Sequence, residues 1–332
     1  MTSLRESSGR WVLVIAGVLM LVGLAVLAPG AKAAHARPAR AGKCFGAPAL
    51  SPRRHCPPTT GETVPTPERA SQDLSAAYDE RPNGLDCWSH PPTFPANPCR
   101  FGSPHGRTTV VLAGNSHAGH WLPALQRIAQ QQHWRILTEL ASQCVLADVT
   151  QMFPADTERS SCRNWADHAA GRVRKDRPDL IVYSNRMSLP AEHHTLGGSV
   201  QAYAAGMRRV FRRWSGIPVV VLRDTPAPSQ SGGPAVHVCL QSHPDHYAAC
   251  NGTRAEWIPP DPAVIAAKRF GIRVVNLNNH ICRPRICPAV VGGVIPYVDG
   301  SHLTATFART LTPFLRPPLL DVLHSRGGRH HR

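Results

Sequence analysis

From residue 108 onward, short and almost continuously apolar runs alternate with longer stretches whose apolar residues recur at helical spacing. The apolar runs span residues 108–113, 135–140, 179–184, 218–223 and 272–277. Their centres, such as VVLAG, LIVYS and VVVLR, lack the polar alternation of a half-exposed strand, so they read as strands covered on both faces. Helical spacing runs over 118–132, 162–175, 197–214 and 262–270, with a last helix over 304–315. Strands that alternate with helices predict a parallel sheet with right-handed crossovers. The expected fold class is therefore α/β: a three-layer α/β/α sandwich on a flavodoxin-like, five-stranded parallel sheet.

The ends of the chain read differently. Residues 11–27, WVLVIAGVLMLVGLAVL, carry no charge; Arg5 and Arg10 precede them, and Ala31-Lys32-Ala33 comes after. A basic start, an apolar run and an A-x-A site describe a secretory signal. The run is also close to the roughly 20 residues of a membrane span. Residues 1–34 are thus expected to be a signal peptide or a single membrane anchor, and either exports the rest of the chain. Residues 35–70 are rich in Pro and Arg without an apolar period and read as a spacer. The main domain is expected over 71–320, entered through an irregular stretch to 107, and residues 321–332 read as a basic disordered tail.

Composition narrows the class. The chain has 332 residues, 42% of them hydrophobic, which excludes a wholly disordered chain and a polytopic membrane protein. A formal charge of +16 favours anionic surroundings such as wall polymers, lipid headgroups or nucleic acid. Nucleic acid fits poorly, because no aromatic-basic module is present and export would separate the two.

The ten cysteines fall into close neighbours: Cys44 and Cys56, Cys87 and Cys99, Cys144 and Cys162, Cys239 and Cys250, Cys282 and Cys287. Neighbour pairing in an oxidising compartment is the expectation. No C-x-x-C or H-E-x-x-H spacing occurs, so neither a metal nor another cofactor is expected.

Open α/β sheets bind ligands beyond the carboxyl ends of their strands, where the strand order reverses. In a flavodoxin-like order those ends belong to the first and third strands. Here they carry Gly114-Asn115-Ser116-His117 and Asn185-Arg186. A third element, Asp299-Gly300-Ser301-His302, precedes the last helix. A serine hydroxyl needs an adjacent base to attack a carbonyl. His302 can supply it, with Asp299 holding the second ring nitrogen. The backbone N–H of Ser116 and the side chain of Asn185 are candidate oxyanion donors. Asn115, His117 and His120 are candidate substrate contacts at the pocket edge. Structural readings stand beside these: Ser116 as a helix cap, Asp299 and Asn185 as turn formers, and Trp121 as core.

The blocks VVLAGNSHAGHWLPAL (110–125) and YVDGSHLTATFARTL (297–311) resemble the SGNH hydrolase superfamily. More narrowly, they resemble the extracytoplasmic SGNH domain fused to bacterial membrane O-acyltransferases. SQC at 142–144, Cys162-x-x-Trp165 and ICRPRICP at 281–288 agree, so the likeness covers roughly residues 85–316. The resemblance implies a Ser116 nucleophile, an Asp299–His302 pair and Asn185 at the oxyanion. It also implies O-acetylation of envelope polysaccharide or wall glycan, with a separate membrane acyltransferase supplying acyl groups. A carbohydrate O-acetyl esterase, or an impaired glycan-binding or scaffold module, is the alternative. Three departures bear on this. Asn115 stands where the family has Asp. The loop at Ser142 and Gln143 lacks the expected oxyanion glycine. Asn185 lies in SNRM rather than in G-x-N-D.

Overall fold

The computed structural model describes residues 42–57, 59, 61–78 and 86–327. The leader expected over residues 1–34, and the last five residues of the expected tail, lie outside them. The strands are β1 (Arg100–Gly102), β2 (Thr108–Asn115), β3 (Trp134–Ala141), β4 (Leu180–Ser184), β5 (Val219–Leu222), β6 (Gly252–Thr253), β7 (Arg273–Val275) and β8 (Ile286–Cys287). The helices are α1 (Ser116–Gly119), α2 (Leu122–Gln132), α3 (Asp156–Asp176), α4 (Val200–Arg213), α5 (Val236–Ser242), α6 (Arg254–Trp257), α7 (Pro262–Lys268), α8 (Ala305–Thr310) and α9 (Thr312–Gly327).

Among the described residues the main sheet has six strands in the order β1-β3-β2-β4-β5-β7. Five of them are parallel, in the flavodoxin-like order, and the order reverses between β2 and β4. The sixth, β1, adds antiparallel to the edge of β3 and was not expected. At three residues it is too short to show a period.

Alternate residues of each central strand enter opposite cores, as strand geometry requires. Val110, Leu112, Val182 and Leu222 join one core with Trp121, Leu125 and Ile128 from the start and body of α2. Val111, Ala113, Ile181 and Val221 join the other with Trp165 of α3, Tyr203 of α4 and Ala266 of α7. Both faces are covered, which is why the strands read as unbroken apolar runs.

Three expectations need correction. The helix expected over 118–132 is two helices, α1 and α2. Pro123 suits the first turn of α2, where its missing N–H costs nothing. The described residues between 42 and 70 are not a free spacer. Ala47 and Ala70 are fully buried, Gly46 N–H donates to Gly292 O at 2.9 Å, and Val64 bridges Val294. This segment docks through small residues and backbone bonds, which leave no apolar period. The expected tail begins inside α9, which continues to Gly327 despite Pro317 and Pro318.

The ten cysteines form the five neighbour disulfides. Disulfides of this density belong to an extracytoplasmic protein. Among the described residues no helix is long and apolar enough to cross a membrane.

Candidate active site

The site begins where β2 meets β4. Gly114 has φ +145°, and a Cβ there would lie 1.8 Å from Ser184 O. Only glycine allows the two strands to approach so closely before the chain turns into α1. A second glycine, Gly119, leaves room for the Trp88 ring of the disulfide-tied entry, since a Cβ would lie 2.1 Å from it.

Asn115 caps α1. Its Oδ1 accepts from His117 N–H (3.2 Å) and Arg186 N–H (3.1 Å), and its Nδ2 donates to Arg186 O (2.7 Å). Asn115 is 1% exposed, with both ends of its amide engaged. It is a clamp between the loops after β2 and β4, not the substrate contact expected from sequence. A carboxylate could not make the bond to Arg186 O, so asparagine is the residue this clamp requires.

Asn185 sits beside it. Its Oδ1 accepts the N–H groups of Asn115 and Leu146, each at 3.0 Å. Its Nδ2 is buried and has no hydrogen-bond partner. A buried donor without a partner is costly, and this one lies at the carboxyl end of the sheet beside Gly114. The loop after β3 approaches the same place. There Gln143 adopts φ +61°, the left-handed backbone usually taken by glycine.

Ser116 opens α1 and is partly exposed. Its N–H is among the helix-initial donors that have no acceptor within the helix. His302 Nδ1 lies 2.6 Å from Asp299 Oδ2, and Asp299 Oδ1 accepts the N–H groups of Ser301 (2.7 Å) and His302 (2.8 Å). Burial alone would raise the Asp299 pKa. The His302 bond and charge and the two N–H donors outweigh it and hold the carboxyl well below its ordinary range. His302 Nε2 is buried without a partner. The His302 ring packs 4.7 Å from His117 and 6.3 Å from His120, so the loop carrying Asp299 and His302 rests on α1. Among the described residues no hydrogen bond joins Ser116 Oγ to His302 Nε2.

A second constellation interlocks with the first. His117 Nδ1 lies 2.5 Å from Asp224 Oδ1, and His117 Nε2 lies 3.2 Å from Ser301 Oγ. Arg186 stands 3.6 Å from the other Asp224 oxygen. Burial, then the charges of His302 and Arg186, hold His117 well below its ordinary pKa. Burial, then His117 and His302, do the same to His120. The two ring nitrogens of His117 thus bridge the Asp224 carboxyl and the Ser301 hydroxyl. Burial pushes the Asp224 carboxyl up to about 7, against the opposing pull of Arg186 and of the Thr225 N–H. Asp261, whose Oδ2 accepts Asp224 N–H at 2.8 Å, rises to about 6 for the same reason.

Asp224, Ser301 and Arg186 were not singled out from sequence. Asp224 comes two residues past the carboxyl end of β5, near the placement that pointed to Ser116 and Asn185, so the signal was present. His117 and His120 are both buried within this cluster rather than open at a pocket edge.

Among the described residues, one group of potential metal-ligand atoms, Cys239, His243 and Cys250, lies within 4.8 Å, and its two sulfurs are joined in a disulfide.

A parallel sheet that reverses between β2 and β4, with serine, asparagine and a D-x-x-H loop at its carboxyl end, defines a domain of the SGNH type. The chain belongs to the family of SGNH domains fused to AT3 domains, whose model matches residues 86–317. Membership gives it an SGNH acyl-transfer or hydrolase role. The search of curated proteins finds no match. Five solved chains match the fold. One is the periplasmic domain of a lipopolysaccharide acetyltransferase from Salmonella ser. Paratyphi A. It shares 10% identity at a TM-score of 0.49, over 67% of this chain and 84% of that one.

Proposed function

We propose that the domain is an exported serine O-acyltransferase that loads an acyl group onto Ser116 and passes it to a hydroxyl of an envelope glycan. The observation that carries this reading is His302. Asp299 fixes its Nδ1, and its Nε2 is buried and unpartnered. An imidazole held this way is ready to take a proton.

In the first step His302 Nε2 takes the Ser116 proton while Oγ attacks the carbonyl of the donor ester. Asn185 Nδ2 and the Ser116 N–H donate to the resulting oxyanion, each worth roughly 10²–10³ in rate. Collapse breaks the donor C–O bond, and the leaving oxygen takes the proton from His302. An acceptor hydroxyl then gives its proton to His302 and attacks the acyl-Ser116 carbonyl; the C–Oγ bond breaks, Ser116 Oγ takes the proton back from His302, and the new ester leaves. Catalytic hydrogen bonds are commonly long without substrate and tighten in the complex. Side chains and backbone N–H groups supply every part of this scheme, so the reading invokes no cofactor. A separate membrane acyltransferase is the partner that would deliver the donor.

The test is labelling with a fluorophosphonate, followed by an acetyl-ester assay with and without oligosaccharide. The expected result is labelling of the wild type, none of Ser116→Ala, and ester formation on the oligosaccharide. Equal labelling of both proteins overturns the nucleophile. Release of free acetate regardless of acceptor would make the enzyme an esterase.

A further inference from the structure

Beyond the carboxyl ends of β5 and β7 lies a cleft of about 500 Å³, walled by Arg223, Arg254, Arg285, Asn276, Asn278 and Ile258. Each arginine is held by a different device. Arg223 comes directly after β5, and its N–H extends the ladder to Val275 O at 2.9 Å. Arg254 opens α6; its backbone N–H donates to Arg285 O at 2.9 Å and its guanidinium to Asn279 Oδ1 at 2.8 Å. Arg285 sits in the short loop closed by Cys282 and Cys287.

No acidic side chain lines the cleft, and among the described residues none of the three arginines forms an ion pair. Two buried atoms on the wall have no partner, Arg223 Nε and Asn278 Oδ1. Asn278 is 1% exposed, and its Nδ2 donates to Asp224 O at 3.1 Å. The cleft therefore adjoins the catalytic cluster through Asp224, the neighbour of Arg223 and the partner of His117.

Guanidiniums gathered with no carboxylate in ion-pair contact repel one another, and an anion among them removes that repulsion and makes charge-assisted bonds. An anion alone leaves Asn278 Oδ1 unsatisfied, because that atom needs a donor. A carboxylate or phosphate flanked by hydroxyls satisfies both, and an acidic sugar has this chemistry.

We propose that this cleft is an acceptor subsite that binds the carboxylate or phosphate of an acidic glycan, with Arg223, Arg254 and Arg285 on the anion and Asn278 on a neighbouring hydroxyl. The proposal rests on the glycan acyltransfer reading and names its acceptor class.

The experiment is calorimetric titration of the full Ser116→Ala chain, which cannot turn over, at fixed moderate salt. The probes are tri-galacturonic acid, its methyl ester and maltotriose phosphate. At least one acidic probe should bind about tenfold or more tighter than the neutral ester. The better of the two shows whether the subsite takes carboxylate or phosphate. Arg285→Gln, on an exposed loop, should weaken the acidic probe about fivefold or more. Arg223→Gln should act likewise if it folds. Arg107→Gln removes the same charge just before β2, at the opposite end of the parallel sheet from the cleft, and should change nothing. Equal affinity for acid and ester overturns the subsite. Equal weakening by Arg107→Gln and Arg285→Gln overturns it as well, since the attraction would then be general. Fluorophosphonate labelling of the wild type reads the catalytic serine independently, so loss of the subsite and loss of the acyltransfer reading are separate results.

Discussion

His117 and Asp224 meet at 2.5 Å, and through its other nitrogen His117 reaches the hydroxyl of Ser301 at 3.2 Å. The site thus holds a second serine, histidine and aspartate in contact, one ring away from His302. His117 is sealed from solvent, whereas the Asp299–His302 loop is partly open. The inner set braces the loop that carries Asp299 and His302.

Ser301→Ala removes that brace and leaves Asp299 and His302 in place. A lost hydrogen bond of about 1 kcal/mol corresponds to a fall in kcat of roughly fivefold. Fluorophosphonate should still label the variant, and peptide mapping should find the adduct on Ser116. An adduct on Ser301 in the wild type would reverse the roles of the two sets.

Asp299→Asn keeps the shape of the loop but removes the charge that sets the His302 tautomer. Activity should fall by about 10⁴, with the far-UV spectrum unchanged. Steady-state kinetics on a soluble acetyl ester checks this. A loss below tenfold would remove Asp299 from the proposed triad.

Asn185→Asp keeps the oxygen that accepts from Asn115 and Leu146 and removes the unpartnered donor. The expected loss is roughly 10²–10³ in kcat with little change in KM. Unchanged kcat in a folded variant would show that Nδ2 plays no part at the oxyanion.

Asp224 links pH to stability. With its pKa raised to about 7 in the fold, it keeps a proton that the unfolded chain loses at an ordinary carboxylate pKa. Its contribution is full below the unfolded pKa and disappears as pH rises through about 7. His117 works in the opposite sense. It is neutral in the fold and protonated in the unfolded chain below the ordinary histidine pKa, so its contribution is present above that pH and is lost on acidification. Asp224→Asn removes only the first effect. Between pH 5 and 8 the variant should lose less stability, or gain more, than the wild type. The difference is at most about 1.4 kcal/mol per pH unit. Urea midpoints at the two pH values read it, and parallel pH dependences would mean that Asp224 is ionised throughout.

Much of the architecture is local information. Doubly covered strands must be apolar without a break, so β2, β4 and β5 were legible as runs, and the rule for switch points led from them to Ser116 and Asn185. Asp299 and His302, three residues apart, form their bond within one loop, so their partnership was also legible. The neighbour disulfides are of the same kind, each closing a loop of modest length.

Contacts across large separations could not be read in that way. His117 and Asp224 are 107 residues apart, and His117 and Ser301 are 184 apart; no periodicity encodes such pairs. Residues 42–70 looked like spacer because they dock through alanines, glycines and backbone bonds rather than an apolar stripe. The clamp made by Asn115 gives a structural role to the residue that departs from the family pattern. The order of apolar and polar residues determined the sheet, its switch point and the serine and D-x-x-H elements, because strand and turn preferences act between near neighbours. Only the packed molecule decided which buried charges share a partner and where three arginines line one cleft with no ion pair among the described residues. Those relations arise when distant segments are brought to the same end of one sheet.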